Sequence, residues 1–234
     1  MEANPRGHLD RRLEDLERAI LALGDLVDRS ISHSVDALKA RDTGLATQVV
    51  DGDEVINQKR FDIEEMCTAL IATQQPAAKD LRYIVSAMNI ITELERMADH
   101  AAGIATLVLR LGDEPLLKPL VDIPRMAERT RSMLHRSLEA FLAGDVDAAE
   151  RVGAEDDEID SLYHQVYREL LSFMIEDPRT ISRATNLLWV AHNLERIADR
   201  TTNIAERAIY QETGVMREFG ADTGPPEEPE APGG

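Results

Sequence analysis

The apolar positions of this chain recur every three to four residues over long stretches, the spacing that gathers them on one side of an α-helix. Ile84, Met88, Ile91, Ala98 and Ala102 make one such stripe, and Ala184, Leu188, Ala191, Ala198 and Thr202 make another. The pattern predicts six helices: His8–Ala40, Thr43–Thr73, Ala77–Leu111, Ile123–Leu142, a fifth from the turn at Gly144-Asp145 to Ile175, and Thr180–Thr213. Gly112 and the prolines at 115, 119 and 124 mark a central linker, and Asp177-Pro178 separates the last two helices. Long helices joined by short turns stack as antiparallel neighbours. The expected fold is all-α: one three-helix bundle over residues 8–111, a second over 122–213, and a disordered Gly/Pro/Glu tail over 214–234.

The two bundles read as copies. Leu94–Asp99, Leu-Glu-Arg-Met-Ala-Asp, returns 100 residues later as Leu-Glu-Arg-Ile-Ala-Asp at Leu194–Asp199, and Ile104-Ala105 returns as Ile204-Ala205. Asp53-Glu54-Val55-Ile56-Asn57 aligns with Asp156-Asp157-Glu158-Ile159-Asp160 at an offset of 103. The same offset carries Ser34, Leu38 and Asp42 onto Ser137, Phe141 and Asp145. A unit this long, present twice, implies two similar bundles rather than a solenoid. Packing explains why apolar positions recur. It gives no reason to keep two carboxylates in register.

On the third helix Glu95 falls inside the apolar stripe and Asp99 on its edge; Glu195 and Asp199 do the same on the sixth. A carboxylate on an inward face needs a partner, because burying it alone is costly. Like charges at i and i+4 also repel along a helix. Asp156 and Asp160 repeat this spacing on the fifth helix, and Asp53 and Asn57 repeat it on the second. Asn57 lies 18 residues before Gln75 and Glu95 lies 20 after it; Asp160 lies 18 before Pro178 and Glu195 lies 17 after it. In an antiparallel hairpin, equal distance from the turn means equal height. Asp53, Asn57, Glu95 and Asp99 are therefore expected to face one another, as are Asp156, Asp160, Glu195 and Asp199. Such oxygen clusters suit Mg²⁺, Mn²⁺, Ca²⁺ or iron, and Zn²⁺ less readily.

Composition narrows the function. With 43% hydrophobic and 30% charged residues a folded core is expected, and only 4% aromatics favours helices over a sandwich or barrel. A net charge of −18 argues against nucleic acid or anionic lipid as partner. Cys67 is the only cysteine and sits in an apolar helical pattern, so it reads as a core residue of a protein in a reducing compartment. Met1–Arg12 is too polar for a signal peptide, and no apolar run approaches the roughly 20 residues of a membrane span. A cytoplasmic location and no membrane insertion are expected. Trp189 and the methionines of the third and fourth helices read as packing residues. His100 reads as a surface histidine bonded to a carboxylate, while His33, His135, His164 and His192 stand apart and suggest no site. No P-loop, Gly-rich phosphate cradle or nucleophile constellation is present, so no catalytic residue is expected.

Together these blocks resemble the PhoU family of phosphate-transport accessory and regulatory proteins. The resemblance is carried by Leu94–His100, by Leu194–Arg200 with Thr202–Glu206, by Asp53-x-x-Ile56-Asn57 and Asp156-x-x-Ile159-Asp160, and by Gln75-Pro76-Ala77-x-x-Asp80-Leu81-Arg82. It implies two three-helix bundles related by a pseudo-twofold axis, with multinuclear metal sites on the Glu/Asp-x-x-x-Asp motifs holding iron, Mn, Mg or Zn. It implies a non-enzymatic role, repressing the phosphate-starvation response when phosphate is ample. The implied partners are the ATPase subunit of the phosphate ABC transporter and a sensor histidine kinase, and a homodimer is the expected assembly. Two departures stand out. The family has His-Ala-x-Asn-Ile after its acidic motif; here the first copy has Gly103 in the Asn position, and the second has Arg200 in the His position but keeps Asn203. With Asn57 replacing an acid, the two sites are expected to bind metal unequally. A ferritin-like di-iron oxidase would use Glu-x-x-His pairs, and none of the six histidines has Glu three residues before it. A metal-free helical adaptor remains the alternative that metal analysis separates.

Overall fold

A computed structural model describes residues 5–112 and 115–219, and among these every regular element is helical. The helices are α1 (Pro5–Ala40), α2 (Thr43–Gln74), α3 (Ala78–Leu111), α4 (Asp122–Ala143), α5 (Val146–Gly153), α6 (Asp156–Glu176) and α7 (Ile181–Thr213), with a 3₁₀ turn at Pro178–Thr180 before α7. Equivalent residues do equivalent work at the helix ends. Asp42 caps α2 by accepting from the Leu45 N–H, and Asp145 caps α5 by accepting from the Ala148 N–H, both at 2.9 Å. Buried Ser34 and Ser137 each donate to the carbonyl three residues back, at 2.8 Å. Pro124, read as linker, lies instead in the first turn of α4, where no backbone donor is needed.

The fifth helix is not continuous. It ends at Gly153, tightens through Ala154 and Glu155, and restarts as α6 at Asp156. Glu155 N–H reaches the Val152 carbonyl, and Glu158 N–H reaches that of Glu155, both at 3.1 Å in three-residue turns. Four successive acids, Glu155–Glu158, would repel along an unbroken helix. The restart puts Asp156, Asp157 and Glu158 in a first turn, where the positive helix end favours them. The first repeat, with Val50 where the second has Gly153, keeps α2 whole.

Each repeat folds into a three-helix bundle, α1–α2–α3 and α4–α5/α6–α7, and the repeats join along α3 against α7 and α1 against α4. Their buried apolar side chains form one continuous cluster. Arg131 donates from Nε and Nη2 to both carboxylate oxygens of Asp28, at 2.7 and 2.8 Å. Residues 28 and 131 are the same position of the two copies. A position meets its own counterpart only on a twofold axis, so this ion pair marks the pseudo-symmetry. Burial alone would raise the Asp28 carboxyl; Arg131 and His135 outweigh it and hold it below its ordinary value.

Because α3 is covered by α1, α2 and α7, its buried surface is wider than one stripe. Ile84, Ile91 and Ala98 are buried as expected, but Met88 and Ala102 are only half-buried; Ala87, Leu94, Met97, Ala101 and Ile104 complete the core. On α7, Leu188 is likewise half-buried and Leu187 takes its place inside. Cys67, Met97, Met126 and Met133 are core residues. Burial pushes the Cys67 thiol up to about 12, which keeps it inert. Trp189 is not core: it is 54% exposed.

The tail expectation is corrected over its first residues. Residues 214–219 fold back over the second repeat, while 220–234 lie outside the described residues. Phe219 packs partly buried against the core, its N–H donating to Glu206 at 2.7 Å, and Arg217 pairs with Glu150 at 2.9 Å. A Cβ on Gly153 would lie 2.5 Å from the Phe219 ring, so only glycine admits the strap there. Phe219→Ala should lower stability to denaturant by about 1–2 kcal/mol, the cost of truncating a half-buried aromatic. Gly153→Val should release the strap and speed amide exchange at Phe219; unchanged exchange would show that this contact does not hold it.

Candidate metal centre

The turn at Gln75-Pro76 folds α3 back along α2 and brings the first set of predicted residues together. Asp53 and Asn57 sit one turn apart on α2, and Glu95 and Asp99 one turn apart on α3. The Asp53 carboxyl is raised by burial and then by Asp99 and Glu54; that of Glu95 is raised by burial and then by Asp99, with Asp53 adding and Arg60 opposing. These mutual effects couple Asp53, Glu95 and Asp99 electrostatically. Asn57 does not simply stand in for an acid. Its Nδ2 donates to Asp53 Oδ2 at 3.2 Å and relieves part of the repulsion. The other oxygen, Asp53 Oδ1, is buried without a hydrogen-bond partner.

The second set meets between α6 and α7. Burial pushes the Asp156 carboxyl up to about 6, helped by the negative charges of Asp199, Asp160, Glu195 and Asp157. Glu195 is raised by burial and then by Asp199 and Asp160. Asp199 is raised by burial, with Asp160 adding and Arg196 opposing. Arg196 donates to Asp199 at 2.9 Å. Asp156 Oδ1 and Glu195 Oε2 are buried without hydrogen-bond partners. Across each hairpin the carboxylates act on one another electrostatically, Asp53, Glu95 and Asp99 in the first and Asp156, Asp160, Glu195 and Asp199 in the second, while Asn57 bonds Asp53. The second is the more repulsive, because Asp160 brings a charge where Asn57 brings a donor.

Two histidines act electrostatically on this second cluster. His192 Nδ1 lies 3.3 Å from Glu195 Oε2, without the alignment of a hydrogen bond, and His164 acts electrostatically on Glu195. Tyr163 packs its ring 5.8 Å from His164 and 6.1 Å from His192. The signal was in the spacing: His192 precedes Glu195 by three residues and His164 follows Asp160 by four, so each shares a helix face with a carboxylate.

The departures after the acidic motifs point elsewhere. His100 bonds an amide of the other repeat, not a carboxylate: its Nδ1 donates to Asn193 Oδ1 at 3.0 Å. Burial holds its imidazole below the usual value despite that bond. At the symmetric place Arg200 and Asn203 both donate to Glu93 Oε2, at 3.3 and 3.2 Å. Residues 93 and 193, and 100 and 200, are equivalent, so the two pairs exchange across the pseudo-twofold axis. Gly103 faces Asn193, 3.4 Å from where its Cβ would stand. These positions therefore join the repeats, and Arg200 also draws down the Asp199 carboxyl.

Hard oxygen donors with orphaned buried atoms fit a bound cation. Among the described residues no three such side chains are placed to hold a metal ion as they stand. The fold and site define a duplicated helical bundle with one acidic cluster per copy. The PhoU domain model matches residues 20–108 and 123–208, and the chain belongs to the PhoU family. It is 39% identical over 206 residues to the phosphate-specific transport system accessory protein PhoU homolog of Pseudomonas aeruginosa, covering 87% of this chain and 84% of that one. The PhoU homolog of Aquifex aeolicus is 41% identical over 208 residues, 89% and 94% of the two chains. The fold superposes with a TM-score of 0.83 on the crystal structure of PhoU from P. aeruginosa, at 38% identity over 88% and 99% of the chains. It does so equally, at 0.83, on the phosphate transport system regulatory protein PhoU from Streptococcus pneumoniae, 35% identical over 90% and 99%.

The raised Asp156 carboxyl predicts a pH signature. The folded chain keeps this proton between pH 3.8 and about 6, where the unfolded chain loses it. Stability from this group is therefore full below pH 3.8, falls as pH rises, and stays low above about 6. Asp156→Asn should stabilise the metal-free protein by about 1 kcal/mol at neutral pH, after allowance for solvent screening, and by nothing at acid pH. Urea unfolding of EDTA-treated protein across the range measures it, and a gain independent of pH would contradict the assignment.

Proposed function

We propose that the protein is a non-enzymatic, metal-binding regulator of phosphate uptake and of phosphate-starvation signalling. The single observation that carries this reading is the pair of duplicated carboxylate clusters, with orphaned buried oxygens, in a chain of this family. Relatives are named as accessory proteins of the phosphate-specific transport system, which supports a partner in that system. In this reading the chain acts in the cytoplasm, as a homodimer, on the ATPase subunit of a phosphate ABC transporter and on a sensor histidine kinase. Among the described residues no helix is long and apolar enough to cross a membrane. Its charge of −18 suits a partner with basic patches and an association that weakens in salt.

Asp53, Asn57, Glu95 and Asp99 would hold one cation site, and Asp156, Asp160, Glu195 and Asp199 the other. The metal, iron, Mn, Mg or Zn, would supply charge that neutralises the cluster and ties two helices together. The chain's own residues do the rest: they fix the carboxylates at one height and hold the repeats in register. The alternative, a metal-free adaptor, draws support from the partial neutralisation of the second cluster by Arg196.

Elemental analysis of the purified protein separates the two. Glu195→Ala with Asp199→Ala should remove most metal from the second repeat and leave the first loaded. Unchanged metal content would reject the assignment. For the regulatory role, deleting the gene should raise phosphate-starvation transcripts and alter phosphate uptake under ample phosphate. Transcripts that stay repressed, with uptake unaltered, would reject it.

A further inference from the structure

We propose that the exposed apolar face of the α6–α7 hairpin is where a second copy of this chain docks. The inference rests on the homodimer of the reading above and goes beyond it by assigning a surface; it needs no metal. Tyr163, Tyr167, Leu171 and Ile175 recur every four residues along α6. Tyr163 is half-buried, and the other three are 43%, 41% and 74% exposed. The Tyr163 ring lies 6.1 Å from that of His192, which fixes the antiparallel register. That register sets Tyr167 level with Leu188 and Trp189, and Ile175 level with Ile181. Ile181 and Trp189 are exposed as well, and a cleft of about 300 Å³ opens between Tyr163, Leu188, Trp189 and His192. A continuous apolar face of this kind marks a surface that another molecule covers.

The first repeat shows that the bundle itself does not need this stripe. At the four positions on α6 its α2 carries Arg60, Glu64, Thr68 and Ala72, and at that of Trp189 its α3 carries Asn89. The same three helices pack in both copies. Two features commit the face to a second copy. The first is charge. Between Tyr163 and His192, Arg168, Arg179 and Arg183 offset Glu169, Glu176 and Asp177, a net of zero in a chain of −18. A basic partner would be drawn to the acidic faces instead, whereas a like-charged copy meets least repulsion here. The second is shape. A ridge of every fourth residue is the kind that two helices interdigitate, at a crossing of about −50°. Its even spacing makes it self-complementary: about a twofold axis midway along it, Tyr163 faces Ile175 and Tyr167 faces Leu171 of the other copy. Tyrosine, tryptophan and arginine are also the residues such interfaces favour.

The test follows the full chain by sedimentation velocity, with the emission of Trp189, its only tryptophan, as a second readout. Dilution should dissociate a dimer and shift that emission to the red as the ring regains water. Exchanging the repeats' residues, Tyr167→Glu with Leu171→Thr and Ile175→Ala, should weaken dimerisation at least about tenfold. Circular dichroism of the variant should stay helical, and the emission of the unexchanged protein reports on the face however the variant folds. Added salt should leave the dimer intact or tighten it by screening the repulsion between copies, opposite to its effect on a charge-steered partner. A dimer that the exchange leaves unchanged, with emission unmoved by dilution, overturns the face and leaves the homodimer standing. A monomer at every concentration overturns both and gives the face to a different protein.

Discussion

Carboxylates facing one another across two packed helices repel, and each loses water on burial. Everything else in the second repeat is arranged around that cost. Burial and four neighbouring acids raise Asp156 to about 6, even though it sits in the first turn of α6, where the helix end favours negative charge. A helix terminus is worth about 0.3–1 kcal/mol to such a group. It does not outweigh desolvation with like charges so near. The hairpin stays closed because long apolar seams flank the cluster: Ile159, Leu162, Val166 and Leu170 on α6 pack beside Leu187, Val190, Ala191 and Leu194 on α7. Each buried aliphatic side chain of this size contributes about 1.5–3 kcal/mol, so a few suffice to hold the acids face to face.

The pseudo-twofold axis explains which side chains are free to diverge. On the axis, Asp28 must meet whatever occupies its own position in the other copy, and a chain with identical repeats would set Asp against Asp. Divergence to Arg131 turns that repulsion into a bidentate ion pair. Off the axis, contacts come in exchanged pairs, and here one pair is Arg200 with Glu93 and the other His100 with Asn193. Glu93 holds Arg200 with charge, and Asn193 holds His100 with a neutral amide. Duplication followed by unequal substitution lets one interface carry an ion pair and its twin a neutral bond, with the helix spacing unchanged.

Long helices and the repeat itself were legible in the sequence, because period and offset are one-dimensional quantities. Distance from Pro76 and Pro178 pairs Glu95 with Asp53 and Glu195 with Asp160, and these carboxylates act on one another electrostatically. What period alone misses is how many neighbours a helix has. Met88 falls inside the one-face stripe of α3 yet is only half-buried, since α7 covers a second face that nothing local announces. His192 stands apart from the other histidines in sequence, and what brings it to Glu195 is the helix face the two share. The break at Ala154 was hidden for a different reason. Alanine and glutamate favour helix, and only the run of acids with Gly153 before it argued otherwise.

That break and the strap beyond α7 belong to one arrangement. Gly153 ends α5 and leaves room for the Phe219 ring, and three residues later Asp156 opens α6 and enters the cluster. The strap is tied at Glu206, whose carboxyl is raised by burial and accepts the Phe219 N–H, and at Glu150 through Arg217. In the first repeat Asp53 is fixed by an unbroken helix and by the Asn57 amide. In the second, Asp156 has no such donor beside it; its place depends on where α6 begins. Phe219 packs against the end of α5, three residues before that beginning. The more repulsive of the two clusters is thus the one whose first carboxylate sits at a helix start rather than within an unbroken helix.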